Sequence, residues 1–283
     1  MRTNIYSLTT DLINKYVHYL EDQERSAATI QKYTHDLREL MIYAGEAQLT
    51  KALMISWKNH LAEIYALSTA NTMIAAVNGF FVFMNWRELS IKQFKIQKSP
   101  FLKEEKELTR QEYIRMVQAA ERNTNERLSL VIQTICATGI RVSELRFITV
   151  EAVQSGRAEV SNKGKRRTVF LQAKLCKLLR KYIQKQKKTA GPVFTTKTGK
   201  PLDRSNIWRD MKALCESANV NPEKVFPHNL RHLFARTYYS LEHDLSRLAD
   251  ILGHSNINTT RIYTAESGAV HARQMERMAL IVT

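Results

Sequence analysis

The stretch ATGIRVSEL, residues 137–145, marks the point where a helical pattern gives way to a mixed one. Upstream, residues 127–138 predict a helix, and the Gly139 that follows is typical of a helix end. Downstream, residues 158–161 and 168–171 have the apolar or alternating character of strands. They predict a β-hairpin whose turn carries the basic run KGKRR.

The sequence on either side extends this second domain. Thr109 and Glu112 have the spacing of a capping box at the start of a helix. Residues 193–195 are compatible with a further short strand, and helices resume at about Asp203. We therefore expect a mostly helical domain with a small sheet.

The N-terminal part predicts a bundle of four helices. Ser26 is a suitable N-cap for the second helix, and Thr50 precedes the third. A fourth helix is expected to follow Ser68 or Thr69 and to run through the apolar stretch 75–86. We assign the aromatic residues of that stretch to the core.

Between the two helical regions the periodicity disappears. Residues 91–106 combine charged side chains with Pro100, which is typical of a linker. The sequence thus predicts a helical domain over residues 1–90, a linker over 91–106 and a second domain over 107–283.

Positive charge is concentrated in the second domain. The 283-residue chain has a net charge of +16, of which residues 1–106 carry +2 and residues 107–283 carry +14. Between Arg157 and Lys188, twelve residues are basic and one is acidic. A solvated basic face is one explanation. A polyanionic partner is favoured, because neutralised phosphates release counterions, but charge does not separate DNA from RNA or an acidic membrane.

Several other classes of protein are disfavoured. The three cysteines lack the spacing of a disulfide framework or a thiolate metal site, and no cluster of carboxylates or histidines has ligand spacing. No run of ~18 apolar residues predicts a membrane span, and the first residues do not resemble a signal peptide. We expect a cytoplasmic protein without metal, cofactor or membrane partner.

Four short segments carry the residues most suited to chemistry: residues 137–145, the basic turn, HNLRH at 228–232, and LGHS at 252–255 with a tyrosine nine residues after its histidine. Each alone has a structural explanation, such as a surface charge, a core histidine or a packing aromatic. Their joint order and spacing are far more specific. The candidate residues are Arg141, Lys163, His228, Arg231, His254 and Tyr263.

These segments resemble the signature boxes of the tyrosine recombinases, or phage integrase family. The patterns T-G-x-R-x-x-E-L, H-x-L-R-H and L-G-H…T…Y are all intact. The resemblance extends to both domains and implies a mainly α fold with a small β-sheet. Residues 1–90 would form a SAM-like core-binding domain that binds DNA, and residues 107–283 a mixed α/β catalytic domain.

The resemblance also implies a role for each candidate. Arg141 and Arg231 would bind the non-bridging oxygens of the scissile phosphate, and His254 would donate a hydrogen bond to it. His228 would assist proton transfer at the nucleophile. Tyr263 would attack the phosphorus and form a 3′-phosphotyrosine.

The resemblance leaves two candidates for the general acid that protonates the departing 5′-oxygen. Lys163 best matches the family's lysine before glycine, and Lys165 is the alternative. Lys165, Arg166 and Arg167 are further candidates for DNA contacts. The chemistry implied needs neither metal nor ATP, because the phosphotyrosine conserves the energy of the broken bond.

The residues after Tyr263 suggest a role in assembly. They form an apolar helical stripe, which is expected to be buried either in its own domain or in a neighbouring protomer. The resemblance implies the second arrangement, in a tetrameric synapse on paired DNA sites. The stripe consists of Val270, Met275, Met278, Ala279 and Leu280.

The sequence predicts a Xer-like two-domain recombinase acting on double-stranded DNA at a specific site. Integration, excision, resolution and inversion all remain open, as does the need for a second recombinase or accessory DNA-bending proteins. Two alternatives also remain: a type IB topoisomerase-like enzyme, and a catalytically silent DNA-binding protein of the same fold.

Overall fold

The computed structural model describes residues 6–96, 106–162, 165–196, 198–263 and 275–278. Contacts divide the chain into two units, Met1–Lys98 and Ser99–Thr283. The division lies inside the predicted linker, most of which is outside the described residues. In the described part, no helix has the length and apolar character needed to cross a membrane.

Four helices form the first unit. They are α1 (Thr10–Asp22), α2 (Ala27–Ala44), α3 (Lys51–Ile64) and α4 (Leu67–Phe83), followed by a 3₁₀ turn, Arg87–Leu89. The Ser26 and Thr50 hydroxyls accept hydrogen bonds from backbone amides of the first turns of α2 and α3, which confirms both predicted N-caps.

The start of the fourth helix was predicted too late. Helix α4 begins at Leu67 and has no side-chain cap, so neither Ser68 nor Thr69 caps its start. Phe80 and Phe81 are fully buried, and Phe83 and Trp86 pack against the same core. The predicted core role of these aromatic residues is confirmed.

The second unit combines eight helices with one hairpin in its described part. The helices are α5 (Arg110–Arg122), α6 (Glu126–Thr138), α7 (Val150–Ser155), α8 (Ala173–Lys185), α9 (Arg204–Ala213), α10 (Cys215–Ala218), α11 (Pro227–Glu242) and α12 (Leu245–Leu252). Short 3₁₀ turns cover Val142–Phe147, Pro222–Lys224, Ile257–Thr259 and Arg261–Tyr263. The capping box of Thr109 and Glu112 is present at the start of α5.

The hairpin is confirmed, but its strands are longer than predicted. Strand β1 (Arg157–Asn162) pairs antiparallel with β2 (Lys165–Phe170). The basic residues after position 164 therefore belong to β2 and not to a turn. Alternation along β2 explains this: Val169 is buried and Arg167 lies on the same face, while Arg166, Thr168 and Phe170 are exposed.

The additional strand predicted at residues 193–195 is absent from the described structure. Val193 and Phe194 are buried in the core of the second unit, so their apolar character reflects packing. Only isolated bridges occur nearby, between Thr149 and Pro192 and between Thr195 and Pro201. The fold is thus mainly helical with one two-stranded sheet, as predicted.

Candidate active site

Arg141 is positioned by the end of α6. Gly139 ends that helix in the left-handed conformation (φ +64°), and a Cβ atom there would lie 2.4 Å from the Phe234 ring. Glycine is therefore required both for the backbone angle and for the close approach of α11. Arg141 follows with its side chain about one-third exposed and forms an ion pair with Glu144 at 3.1 Å.

Arg231, on α11, is almost completely buried, with 1% of its surface exposed. Its guanidinium donates to the Gly139 carbonyl (2.6 Å), the Leu252 carbonyl (2.7 Å) and His254 Nε2 (2.9 Å). Arg141 Nη1 donates to the same Leu252 carbonyl at 3.4 Å. One backbone oxygen therefore holds the two arginines next to each other.

The positive charges affect one another. Burial, followed by the charge of Arg141, lowers the pKa of Arg231 to about 10, while a hydrogen bond with Tyr263 opposes the change. Arg231 is still protonated at neutral pH. The site thus presents two guanidinium groups, which suit bidentate binding of phosphate oxygens.

Glu144 forms hydrogen bonds with Arg141 and with Arg167 of the hairpin, and so connects the arginine pair to the hairpin. Arg167 binds Glu144 bidentately, with both N–O distances 2.9 Å, and the Arg141 amide donates to Glu144 Oε2 at 2.8 Å. Burial alone would raise the pKa of Glu144, but these hydrogen bonds and the two positive charges outweigh it and lower the pKa to about 2. Glu144 is ionised at any physiological pH.

The carboxyl end of α12 completes the arginine cluster. Arg167 Nε donates to the Ile251 carbonyl at 3.0 Å, and Arg141 Nη2 donates to the Gly253 carbonyl at 3.5 Å. The last carbonyls of a helix lack partners within the helix and carry its negative dipole end. Together with the bonds to Leu252, this helix end is bound by three arginines.

His254 follows α12 and has a defined tautomer. Its Nε2 accepts from Arg231, because a guanidinium only donates, so Nδ1 carries the proton and donates to Thr260 Oγ1 at 2.8 Å. Burial and then the charges of Arg231 and Arg141 lower the pKa of His254 to about 4. The ring is neutral at pH 7 and stacks at 6.0 Å on the ring of Tyr263.

Tyr263 is only 3% exposed and lies in the final described 3₁₀ turn of this region. The edge of its ring meets the His232 ring at 4.8 Å, and the His232 ring contacts that of His228 at 4.4 Å. Burial, followed by the charges of His232 and Arg231, lowers the pKa of His228 to about 4. His228 is therefore neutral at pH 7 and able to accept a proton.

A cavity of about 610 Å³ opens over this cluster. Arg141, His228 and Arg231 line it, as do Arg204 and Trp208 of α9. Among the described residues, no group of three potential ligands from His, Cys, Asp and Glu is arranged to hold a metal ion. The cavity wall is positively charged and concave, which suits an anionic group.

The structure thus brings together five of the six predicted catalytic residues. The sixth, Lys163, lies outside the described residues, and only the backbone of Lys165, in β2, is described. Arg166 is exposed on β2. Arg167 faces Glu144 instead of solvent, which favours an internal role over the DNA contact suggested by the sequence.

Comparison with known proteins identifies the family. Residues 106–269 match the profile of the phage integrase family, and residues 13–88 match that of the phage integrase N-terminal SAM-like domain. The chain belongs to the phage integrase family. It is 25% identical to the tyrosine recombinase XerA of Pyrococcus furiosus over 97% of this chain and 96% of that protein. Identity to the tyrosine recombinase XerD of Lacticaseibacillus casei is 29%, over 89% and 93%.

Solved structures of integrase-family proteins share the fold. A lambda integrase fragment (residues 75–356), solved as a dimer bound to a COC′ core site, superimposes with a TM-score of 0.76 at 18% identity, covering 92% of this chain and 96% of that one. XerH recombinase bound to a palindromic difH substrate gives 0.74 at 20% identity, covering 96% and 84%.

Sequence reasoning missed several residues of this integrase-family site. Glu144 is within the quoted stretch, yet nothing local reveals that it pairs with Arg167. Arg204 and Trp208 reach the cavity from α9, which has no distinctive motif. His232 was quoted as part of a box, but its contact with Tyr263 depends on the packing of the final turn against α11.

Proposed function

We propose that this protein is a site-specific tyrosine recombinase that cleaves and rejoins DNA through a 3′-phosphotyrosine. The observation that carries the proposal is the pair of arginines, Arg141 and Arg231, held by one carbonyl oxygen beside a neutral histidine and a buried tyrosine. A phosphodiester gains negative charge in its transition state, and a preorganised cationic site stabilises that charge.

Cleavage then proceeds by attack of Tyr263. Its hydroxyl oxygen forms a bond to phosphorus while the bond to the 5′-oxygen breaks, and its proton passes to a neutral acceptor, for which His228 is placed beside the cavity. Arg141 and Arg231 bind the phosphate oxygens. His254 donates to them once its proton has moved from Nδ1 to Nε2, because in the free protein Nδ1 donates to Thr260 and Nε2 accepts from Arg231.

A lysine of the hairpin protonates the departing 5′-oxygen. We assign this role to Lys163 and retain Lys165 as the alternative. Single-turnover cleavage by Lys163→Ala and Lys165→Ala decides between them. Loss of cleavage in the first variant alone supports the assignment, whereas loss in the second alone reverses it.

No metal or nucleotide takes part in this scheme. The reverse reaction returns the phosphoryl group from Tyr263 to a 5′-hydroxyl, so no external energy source is needed. Cleavage in the presence of EDTA and without ATP tests both points. Inhibition by the chelator that is reversed by adding a divalent metal contradicts the proposal.

Double-stranded DNA is the proposed partner of both units. Residues 1–90 act as the core-binding domain, residues 91–106 as the linker and residues 107–283 as the catalytic domain. Arg166 is exposed on β2, and Arg204 and Trp208 line the cavity; all three are proposed to contact DNA. A cytoplasmic, nucleoid-associated location follows from that substrate.

The C-terminal stripe is proposed to join four protomers on DNA. Met275 and Met278 are 71% and 59% exposed, while the other residues of the stripe lie outside the described residues. A related lambda integrase is known as a tetramer bound to a Holliday junction. Deletion of residues 269–283 should abolish synapsis and leave binding to a single site intact. Unchanged recombination contradicts this role.

The decisive experiment compares the wild type with Tyr263→Phe in cells and in vitro. Sequencing DNA trapped on Tyr263 identifies the target site, which is then used as a nicked substrate. The wild type should form a covalent complex, and the variant should bind with near-native affinity and form none. Binding without any adduct identifies a silent DNA-binding protein, and an adduct with relaxation but no strand exchange identifies a topoisomerase.

A further inference from the structure

The first residues of the second unit run along the helix that carries His228 and Arg231. In this lead-in segment, residues 106–108, the Lys106 carbonyl accepts from Asn229 Nδ2 at 2.8 Å. The Leu108 carbonyl accepts from Arg236 Nη2, also at 2.8 Å. Positions 229, 232 and 236 lie on one face of α11, so the lead-in segment follows that face for two turns.

Glu107 is the central contact of the lead-in segment. It is 8% exposed, and its carboxylate lies 3.2 Å from His232 Nδ1 and 3.3 Å from Arg236 Nη2. Burial alone would raise the pKa of Glu107, but the hydrogen bond with His232 and the charge of Arg236 lower it. An ionised carboxylate only accepts hydrogen bonds, so Nδ1 of His232 carries a proton.

The other nitrogen of His232 is buried among the described residues without a hydrogen-bond partner. The ring itself lies between those of His228 and Tyr263, at 4.4 and 4.8 Å. The orientation that Glu107 imposes on His232 is therefore transmitted directly to the ring of Tyr263.

We propose that Glu107 is a positioning residue that holds Tyr263 through the His232 ring. Its importance for catalysis rests on the proposed recombinase function. The positioning itself does not, because it concerns packing in the free protein.

The first test uses the full-length protein without DNA. Tetranitromethane nitrates accessible tyrosines, and mass spectrometry resolves each site. Glu107→Gln should raise the nitration rate of Tyr263 by about fivefold, because its packing loosens locally. Tyr182, which is 5% exposed in the same unit, should react at an unchanged rate.

Glu112→Gln is the matched control. Glu112 lies in the first turn of α5, close to the lead-in segment, and its largely buried carboxylate pairs with Lys224 at 3.0 Å, so its replacement removes the same charge from a similar setting. This variant should leave Tyr263 as protected as in the wild type. Equal nitration of Tyr263 in both variants overturns the proposal, because it shows that Glu107 has no specific effect on Tyr263. A parallel rise at Tyr182 also overturns it, because it indicates general destabilisation.

The second test measures cleavage on the trapped site. Single-turnover cleavage by Glu107→Gln should fall about tenfold relative to Glu112→Gln, with DNA affinity unchanged, because misplacement of a nucleophile slows only the chemical step. In a Tyr263→Phe background, cleavage by added hydrogen peroxide should be equally fast with and without the Glu107→Gln substitution, since no tyrosine is needed. A slower peroxide reaction in the Glu107→Gln variant overturns the proposal.

The experiments distinguish failure of the proposed recombinase function from failure of the positioning role of Glu107. If the wild type forms no adduct on any DNA, the proposed function fails, while nitration still decides whether Glu107 positions Tyr263. If the adduct forms and nitration of Tyr263 is insensitive to Glu107→Gln, the recombinase proposal stands and the positioning role is rejected.

Discussion

Replacement of Glu144 by glutamine should destabilise the second unit strongly. The carboxylate is 1% exposed and is the shared partner of Arg141 and Arg167. Its pKa falls from 4.5 to about 2 in the folded protein. Because a tenfold change in acid dissociation corresponds to ~1.4 kcal/mol, the ionised state contributes about 3 kcal/mol to folding at pH 7. Breaking a buried ion pair by removing one partner costs about 3–5 kcal/mol, which agrees with this value.

Amide hydrogen exchange followed by mass spectrometry measures this loss for the second unit alone. Peptides from the turn Val142–Phe147 should lose about 100-fold of their protection in Glu144→Gln, whereas peptides from α2 serve as an internal reference and should not change. Glu126→Gln is the control. It removes an exposed carboxylate that pairs with Lys185 at 2.7 Å, and exposed pairs contribute little.

The dependence on pH has a defined sign. The pKa of Glu144 is lower in the folded than in the unfolded chain, so its contribution is fully present above the ordinary value of 4.5 and is lost as the pH falls through about 2. The difference between wild type and Glu144→Gln should hold from pH 8 to about pH 5 and shrink by about half at pH 3. A difference below about 1 kcal/mol at pH 7, or one independent of pH, refutes the reasoning.

Three further outcomes are expected. Gly139→Ala should lower the free energy of unfolding by about 3 kcal/mol, because the new Cβ meets a phenylalanine ring in a left-handed conformation, whereas Gly156→Ala, with the same handedness but open space, should cost about 1 kcal/mol in the same urea titration. NMR titration should show His228 and His254 half-protonated at about pH 4. Because both pKa values lie below that of the unfolded chain, stability should decline as the pH falls from 6.5 towards 4, and a midpoint near 6.5 for either ring contradicts their burial. Cys136 is half-buried, and this burial raises its thiol pKa to about 12, so it should react with a disulfide reagent at pH 8 much more slowly in the native protein than in urea; equal rates in the two conditions contradict the raised pKa.

The sequence was most informative where structure is determined locally. The Ser26 and Thr50 caps and the capping box at Thr109 act within one helical turn, so their residues alone determine the geometry. Prediction from the sequence failed where tertiary packing determines the secondary structure. The strand expected at residues 193–195 has a suitable composition but no neighbouring strand to pair with among the described residues.

The residues of the candidate site also divide into those that a local motif predicts and those that depend on tertiary packing. Arg141, His228, Arg231, His254 and Tyr263 were identified because their motif is linear, and the structure brings all five together. The roles of Arg167 and Glu107 were not foreseeable, because each depends on a partner distant in sequence. Arg167 meets Glu144 only through the register of β2, and Glu107 meets His232 across 125 positions.

The arginine bonds at the end of α12 have a consequence for insertions and deletions. Each residue of a helix advances its backbone by about 100°, so adding or removing one residue within Leu245–Leu252 would turn the last carbonyls away from all three guanidinium groups at once. Substitutions at its exposed positions, such as Ser246 and Asp250, leave that geometry intact. The length of α12, more than its surface composition, therefore sets the spacing of the three guanidinium groups.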